Sequence, residues 1–214
     1  MKKFLVISAA MLLFSFAAGA QFRDGSAYAD LYDSENVASM KEHVRYLSSS
    51  MMEGRAAGSE GEVLAADYVA EQFKRYGVDL LSPKGGDVFG VRRENGDTLT
   101  SRNVMGYVQG YDKELRDHFI VVGARLDNLG TMMMSVNGEP QQKIFYGANG
   151  NASGLAVMLE LARMVQTQSL MFRRSVLFVA FGASLETYAG AWYFLNRSFS
   201  DSKNIETMIN LDML

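Results

Sequence analysis

Phe119-Ile120-Val121-Val122 decides the fold of this chain, because it is a continuous apolar run rich in β-branched residues. Such a run is typical of a strand that is buried on both faces of a sheet. A second apolar run over 176–181 and the mainly apolar segment 208–213 predict two more buried strands. Apolar residues at helical spacing over 152–166 and 188–196 predict a helix between each pair of strands. The alternation predicts an α/β domain with a mixed sheet, parallel at its centre, and helices on both faces.

The segments that precede and separate these elements carry turn and capping signals. Ser59 and Glu62 have the spacing of a capping box, and Gly77 is a helix stop. The further predicted elements are a helix over 33–47, a helix from Ser59 to Gly77, a loop or edge hairpin over 84–98, a strand over 104–108 and a long loop over 128–147. In sheets of this kind, chemistry collects beyond the carboxyl ends of the strands. We therefore expect the functional residues in 124–128, in 182–186 and at Asp212.

The N-terminus has the composition of an export signal. Lys2 and Lys3 precede an apolar run over 4–18, and Ala18-Gly19-Ala20 fits the small-residue cleavage rule. We expect residues 1–20 to be a cleaved signal peptide and residues 21–214 to be one α/β domain that is cut short at its C-terminus, because the strand-like pattern runs up to Leu214 with no turn after it. The apolar run is short for a bilayer span, so we expect an exported chain, periplasmic or extracellular, without a membrane span after cleavage.

Composition narrows the classes of function. The chain has 21 Lys and Arg against 24 Asp and Glu, a formal net charge of −3. This balance gives no basis for a nucleic-acid partner. The chain contains no cysteine, which excludes disulfide bonds, thiolate zinc ligands and a cysteine nucleophile. Of the two histidines, His43 lies in a predicted helix and His118 before a strand, at the end opposite the expected site. Neither is predicted to bind a metal.

A series of short motifs, in collinear order over nearly the whole of 21–214, resembles the secreted co-catalytic zinc aminopeptidases, whose fold glutaminyl cyclases share. Each motif is weak by itself, but the series is specific. The motifs are Glu53-Gly54-Arg55, Gly58-Ser59, Phe73-Lys74-Arg75-Tyr76-Gly77, Arg102-Asn103-Val104, Ile120-Val121-Val122-Gly123-Ala124, Gly147-Ala148, Asn151-Ala152-Ser153-Gly154, Phe178-Val179-Ala180-Phe181 and Asn210-Leu211-Asp212-Met213. The resemblance implies a site with two zinc ions that share a bridging carboxylate and activate a water.

At the positions that the resemblance gives to metal ligands, this sequence departs from the family. Arg125 stands where the family has its first His, and a guanidinium cannot coordinate zinc. Asn149 replaces the bridging Asp, and Leu185, which has no donor atom, replaces a carboxylate ligand. Asp212 alone matches its ligand position, and the last His of the family would lie beyond Leu214.

The remaining site positions concern the general base, the Asp that orients the first His, and a substitute ligand. Ser184 falls where the family has the Glu that acts as general base, and a serine hydroxyl is far too weak a base. Asp127 matches the Asp that orients the missing His. Glu186, one residue beyond a ligand position, is a possible substitute ligand.

Together, these departures predict a cleft without zinc and with no other cofactor. We expect Arg125 to pair with Asp212 or Asp127 where the family would hold a metal. Such a cleft would serve binding or scaffolding, with a peptide or a carboxylate-bearing ligand as partner, since Arg favours carboxylates. Two alternatives stay open at this point: an active or weakly active metallo-aminopeptidase, and a truncated product without function, since Leu214 ends inside a strand-like pattern.

Overall fold

The structure is a computed structural model that describes residues 34–82, 86–199 and 202–214. The predicted signal peptide over 1–20 lies outside these residues. Contacts group residues 39–214 into one compact unit. In the described part of the chain, no helix is both long and apolar enough to cross a membrane.

Four α-helices and five further short helical turns are described. The α-helices are α1 (Glu35–Leu47), α2 (Glu60–Tyr76), α3 (Ser153–Thr167) and α4 (Ala189–Tyr193). The short turns are Ser50–Met52, Ala148–Ala152, Ser169–Met171, Phe194–Ser198 and Ser202–Asn204. The predicted helix over 188–196 is therefore shorter than expected, because α4 passes into the wider turn that begins at Phe194.

Within the described residues, eight strands form one sheet of six strands and a separate hairpin of two. The strands are β1 (Asp79–Leu80), β2 (Asp87–Arg92), β3 (Thr98–Val108), β4 (Phe119–Arg125), β5 (Gly130–Val136), β6 (Glu139–Phe145), β7 (Ser175–Phe181) and β8 (Ile205–Leu211). The main sheet has the order β1-β3-β7-β4-β8, with β2 also paired to β3. β3 is antiparallel to β7, whereas β7, β4 and β8 are mutually parallel neighbours. The predicted mixed sheet with a parallel centre is confirmed.

The sheet is covered on both faces, as the apolar strands predicted. On one face, α2 and α3 pack on β7 through buried Phe73, Leu155 and Phe178. Alternate residues of a strand point to opposite faces, so Val121 joins a second cluster with Phe194 on the other side. The helix limits also follow the sequence: the Ser59 side chain accepts the Glu62 N–H at 3.3 Å, and α2 ends at Gly77 in a left-handed conformation.

The region over 128–147, which we predicted to be a long loop, is the hairpin of β5 and β6. Its tip is Asn137-Gly138, whose φ angles of 55° and 87° match a two-residue turn. The Asn-Gly pair is the local signal for such a turn. The prediction missed the hairpin because β5 carries Met132-Met133-Met134, all exposed, instead of an alternating pattern.

The third strand, predicted over 208–213, is present, but the prediction that it is buried is wrong. β8 ends at Leu211, and Met208 and Ile209 are 45% and 50% exposed. An apolar run is buried only where a second layer covers it. Within the described residues β8 is the edge strand beside β4, and the layers that bury β4 and β7 leave Met208 and Ile209 about half exposed. By contrast, of the two structures predicted for 84–98, a loop or an edge hairpin, the described residues form the hairpin, in which β2 pairs with β3.

Gly190 of α4 sits against the backbone at the end of β7, and this contact leads to a prediction. A Cβ at Gly190 would lie 2.2 Å from Gly182 O and 2.5 Å from Asn103 Oδ1. We expect Gly190→Ala to lower the free energy of unfolding by about 1–3 kcal/mol, because backbone atoms would have to shift. Urea unfolding followed by circular dichroism measures this loss.

The matched control is Gly90→Ala in β2. A Cβ at Gly90 would meet only the Thr98 methyl group, at 3.4 Å, which is ordinary contact. This variant should unfold within about 0.5 kcal/mol of the parent chain. Equal effects of the two substitutions would contradict the packing argument.

Candidate functional site

A cavity of about 490 Å³ opens at the carboxyl ends of the parallel strands. The strand register explains its position, because Arg125 lies opposite Phe181 and Ala124 lies opposite Leu211 at the ends of three neighbouring strands. The loops that follow these strands therefore meet at one edge. The cavity is lined by Arg125, Phe181, Ser184, Leu185, Tyr188, Ala191, Met208, Asn210 and Asp212.

Arg125 and Asp212 form an ion pair in this cavity. Arg125 Nη2 donates to Asp212 Oδ1 at 3.1 Å. The Arg125 side chain is 16% exposed and that of Asp212 is 44% exposed. The expectation that Arg125 pairs with Asp212 or Asp127 is thus confirmed for Asp212. The pair is partly desolvated and stays open to the cavity on the Asp212 side.

Asp127 is fully buried and has a different task. Its two oxygens accept the backbone N–H groups of Ser184 at 2.7 Å and Leu185 at 2.9 Å. Burial raises the pKa of Asp127 above its usual range, against the opposing effects of these N–H groups and of the Arg125 charge. The carboxylate fixes the loop that forms one wall of the cavity.

Four successive backbone N–H groups of the loop after β7 are accepted by buried side chains. The acceptors are Asn103, Glu62 and Asp127, none of which exposes more than 2% of its surface. Glu62 also accepts the N–H of Gly58 and the hydroxyl of Ser101. The four bonds run from Gly182 N to Asn103 Oδ1 at 3.1 Å, Ala183 N to Glu62 Oε1 at 3.1 Å, Ser184 N to Asp127 Oδ1 at 2.7 Å and Leu185 N to Asp127 Oδ2 at 2.9 Å.

Arg55 is the second arginine near the site, and it is wholly buried. Its guanidinium donates only to backbone carbonyls and so ties three loops together. Burial, followed by the nearby charge of Arg125, lowers the pKa of Arg55 to about 10. Its acceptors are the carbonyl oxygens of Leu47, Leu126 at 3.2 Å, Tyr146 at 3.1 Å and Gly147 at 3.0 Å.

Asn151 joins the ends of β4 and β8 to the start of α3. Its Nδ2 donates to Leu211 O at 2.9 Å, and its Oδ1 accepts the N–H groups of Gly154 at 3.2 Å and Met213 at 3.0 Å. The side chain is fully buried. Asn151 thereby fixes the chain on both sides of Asp212.

The structure brings together some of the predicted site residues and separates others. Leu185 and Ser184 line the cavity, and the Ser184 hydroxyl donates to Phe181 O at 3.1 Å. Asn149 is exposed and is not among the lining residues. Glu186, the possible substitute ligand, pairs with Arg93 at 2.7 Å instead of lining the cavity.

The histidines lie away from the cavity. His43 is buried, and its ring nitrogens hydrogen-bond the hydroxyls of Tyr68 at 2.7 Å and Tyr76 at 2.9 Å. Burial lowers the pKa of His43, so it is a neutral packing residue. His118 pairs with Glu206 at 2.7 Å, before β4 and at the opposite end of the sheet.

The side chains at this edge do not fit a zinc pair. Arg125 brings a positive charge into contact with Asp212, and Leu185 offers no donor atom. Within residues 34–82, 86–199 and 202–214, no three His, Asp or Glu side chains are grouped closely enough to hold a metal ion. We therefore assign no metal-dependent step to this arrangement.

Sequence reasoning missed the residues that support the site. Arg55, Asn103 and Asn151 all occur in the motifs that carried the family resemblance, but their roles were not apparent there. Glu62 was assigned to a capping box. Its carboxylate in fact bonds the Gly58 N–H and reaches across to Ser101 and the loop after β7. The signal in the sequence was that these motifs contain polar residues. A single sequence does not show which distant segments these residues contact.

The sheet order and the cleft at the strand ends define an α/β domain of the zinc-exopeptidase type. A Zn-dependent exopeptidase from Parabacteroides distasonis superposes with a TM-score of 0.62 at 17% identity, covering 82% of this chain and 61% of that one. An aminopeptidase from Aneurinibacillus sp. strain AM-1 superposes with a TM-score of 0.61 at 18% identity, and the match covers 83% of this chain and 70% of that one. A glutaminyl cyclase from Porphyromonas gingivalis superposes with a TM-score of 0.61 at 19% identity, and the match covers 82% of this chain and 58% of that one. At these identities the likeness concerns the fold.

The chain belongs to peptidase family M28, whose sequence model matches residues 103–214. This confirms the family resemblance predicted from the motifs. The alkaline phosphatase isozyme conversion protein of Escherichia coli is 29% identical over 167 residues, which cover 75% of this chain and 47% of that protein. The chain thus spans about half the length of this relative.

The buried carboxylate of Glu62 leads to a prediction about pH. Burial raises the pKa of Glu62, so the folded chain holds this proton more tightly than the unfolded chain. The resulting stability is fully present below the ordinary glutamate pKa and is lost as pH rises through the raised value. Glu62→Gln cannot titrate. The stability of the parent relative to Glu62→Gln should therefore decrease as the pH rises above about 4, the ordinary glutamate pKa.

Glu62→Gln should also lower the free energy of unfolding at each pH by about 1–3 kcal/mol, because its amide would face the donors that now bond the carboxylate. Urea titrations at several pH values measure both effects. Glu139→Gln, on exposed β6, is the control and should show neither. A difference between parent and Glu62→Gln that grows with pH would contradict the assignment.

Proposed function

We propose that this chain is an exported member of family M28 that has lost peptidase activity and uses its cleft for binding. The observation that carries the proposal is the ion pair of Arg125 and Asp212 at the edge where the family resemblance implies a metal. A guanidinium in contact with Asp212 neutralises this carboxylate and repels a divalent cation. Arg125 thus balances the charge of Asp212 at this edge.

The general base is also lacking. Ser184 stands at the position that the resemblance gives to the base, and its hydroxyl donates to Phe181 O. A serine hydroxyl near neutral pH does not take a proton from water. The buried carboxylate of Asp127 is occupied by the N–H groups of Ser184 and Leu185, so it is not placed to act instead.

The cleft favours a ligand with a carboxylate. Arg125 is the basic residue that lines the cavity, and arginine binds carboxylates through paired hydrogen bonds. Apolar side chains of Leu185 and Met208 form another part of the lining. A peptide end or another carboxylate-bearing molecule matches this combination, whereas the acidic composition of the chain disfavours nucleic acid.

The competing proposal is an active or weakly active metallo-aminopeptidase that releases N-terminal residues from peptides. It is supported by Asp212 at a ligand position and by the aminopeptidases among the structural neighbours. The ion pair of Glu186 with Arg93 weighs against it, because the possible substitute ligand is held outside the cavity lining.

Metal content and hydrolysis distinguish the two proposals. We expect the purified chain to hold far less than one zinc per molecule by mass spectrometry after dialysis against trace zinc. We also expect no chelator-sensitive release of nitroaniline from leucine p-nitroanilide. Asp212→Asn is the matched control, because residual zinc that survives this substitution is non-specific. Near-stoichiometric zinc with hydrolysis, both lost in Asp212→Asn, would establish the enzyme instead.

Export is tested at the N-terminus. Expression of the full chain in a Gram-negative host should yield a periplasmic product that begins at Gln21, because cleavage is expected after Ala20. N-terminal sequencing of the periplasmic fraction measures this. Ala18→Asp is expected to reduce processing, since the cleavage rule requires a small residue there. A product that keeps Met1 and stays in the cytoplasm would refute export.

A further inference from the structure

The two arginines near the cleft differ in how their donors are used. A guanidinium has five N–H donors. Arg55, wholly buried, donates to four carbonyl groups and is a structural residue. Among the described residues, Arg125 donates a single side-chain hydrogen bond, to Asp212. Arg125 therefore keeps N–H donors available at the wall of the cavity, although only 16% of its side chain is exposed.

Asp212 has unused hydrogen-bond acceptors. It lines the same cavity, its side chain is 44% exposed, and the bond from Arg125 engages only Oδ1. A carboxylate accepts about four hydrogen bonds through its two oxygens. The pair thus presents unused donors and unused acceptors side by side, with the two opposite charges in contact.

The rest of the lining is largely apolar. Leu185, which is 47% exposed, lines the cavity together with Phe181, Ala191 and Met208. Covering such side chains with an apolar ligand group is favourable by about 25 cal/mol per Å². The volume of about 490 Å³ is in the range of small-molecule sites. The cavity therefore combines a dipolar charged pair with an apolar wall.

We infer that this cavity binds a free α-amino acid with an apolar side chain. Because Arg125 and Asp212 touch, a ligand that engages both must carry a carboxylate and an ammonium on neighbouring atoms, as an α-amino acid does. A peptide carries only one of these charges at each end. The carboxylate binds the open donors of Arg125, the ammonium binds Asp212, and the side chain covers Leu185 and Met208. The inference rests on the proposed binding function and specifies its ligand.

Calorimetric titration of the purified chain tests the inference with a matched ligand series. L-Leucine carries both charges, leucinamide lacks the carboxylate, and isocaproate lacks the ammonium. We expect leucine to bind, and each analogue to bind at least about tenfold more weakly, because each loses a charge-assisted contact. L-Glutamate, whose side chain is charged, is also expected to bind more weakly than leucine, because the wall is apolar.

Variants locate the binding. Arg125→Met and Asp212→Asn should each weaken leucine binding by about tenfold or more. Arg93→Met is the matched control, because Arg93 pairs with Glu186 outside the cavity lining, and it should bind leucine as the parent does. Circular dichroism confirms that each variant is folded. If Arg125→Met fails to fold, Asp212→Asn and the ligand series still test whether the cavity binds leucine.

Several outcomes overturn the inference. They are the absence of leucine binding, equal binding of leucine and leucinamide, and unchanged binding in Asp212→Asn. None of these alters the zinc and hydrolysis results, so a failure of this inference is distinguishable from a failure of the proposed loss of activity. Stoichiometric zinc with hydrolysis would refute that loss, whatever the amino-acid titrations show.

Discussion

The loop after β7 is held by buried acceptors at four successive N–H groups, and the cleft depends on this constraint. Asn103, Glu62 and Asp127 come from different parts of the chain, yet all three bond the loop 182–185. An unpaired N–H in this environment would cost about 1–3 kcal/mol. Moving the loop would break several such bonds together. The wall of the cavity is therefore fixed by side chains that are not among its lining residues.

This arrangement concentrates charge in a small volume, and the arginines balance it. Asp127 and Glu62 both have a raised pKa because burial disfavours their charged forms. Arg55 has a lowered pKa for the same reason, with the charge of Arg125 adding to the effect. Asp212 then pairs with Arg125 at the open edge. A partly buried ion pair of this kind need not add net stability, because its desolvation offsets the attraction between the charges.

The central part of the fold could be predicted because its physical signals are local. The buried strands β4 and β7 are continuous apolar runs, and α2 is marked at its ends by Ser59 and Gly77. The hairpin of β5 and β6 escaped because its exposed strands carry no alternating pattern. The exposure of β8 could not be predicted, because burial depends on which layers cover a strand and not on the strand's own residues.

The candidate site was predictable only in part, for a related reason. A motif position shows which residue type is present, so Arg125, Leu185 and Asp212 could be placed in the cleft from the sequence. The acceptors of the loop N–H groups depend on contacts between segments far apart in the chain, as between Glu62 and Ala183. These contacts hold the backbone of the loop and do not involve the side chains of Ser184 and Leu185. Since Asp127 holds the N–H groups of Ser184 and Leu185, not their side chains, those side chains can change without releasing the loop.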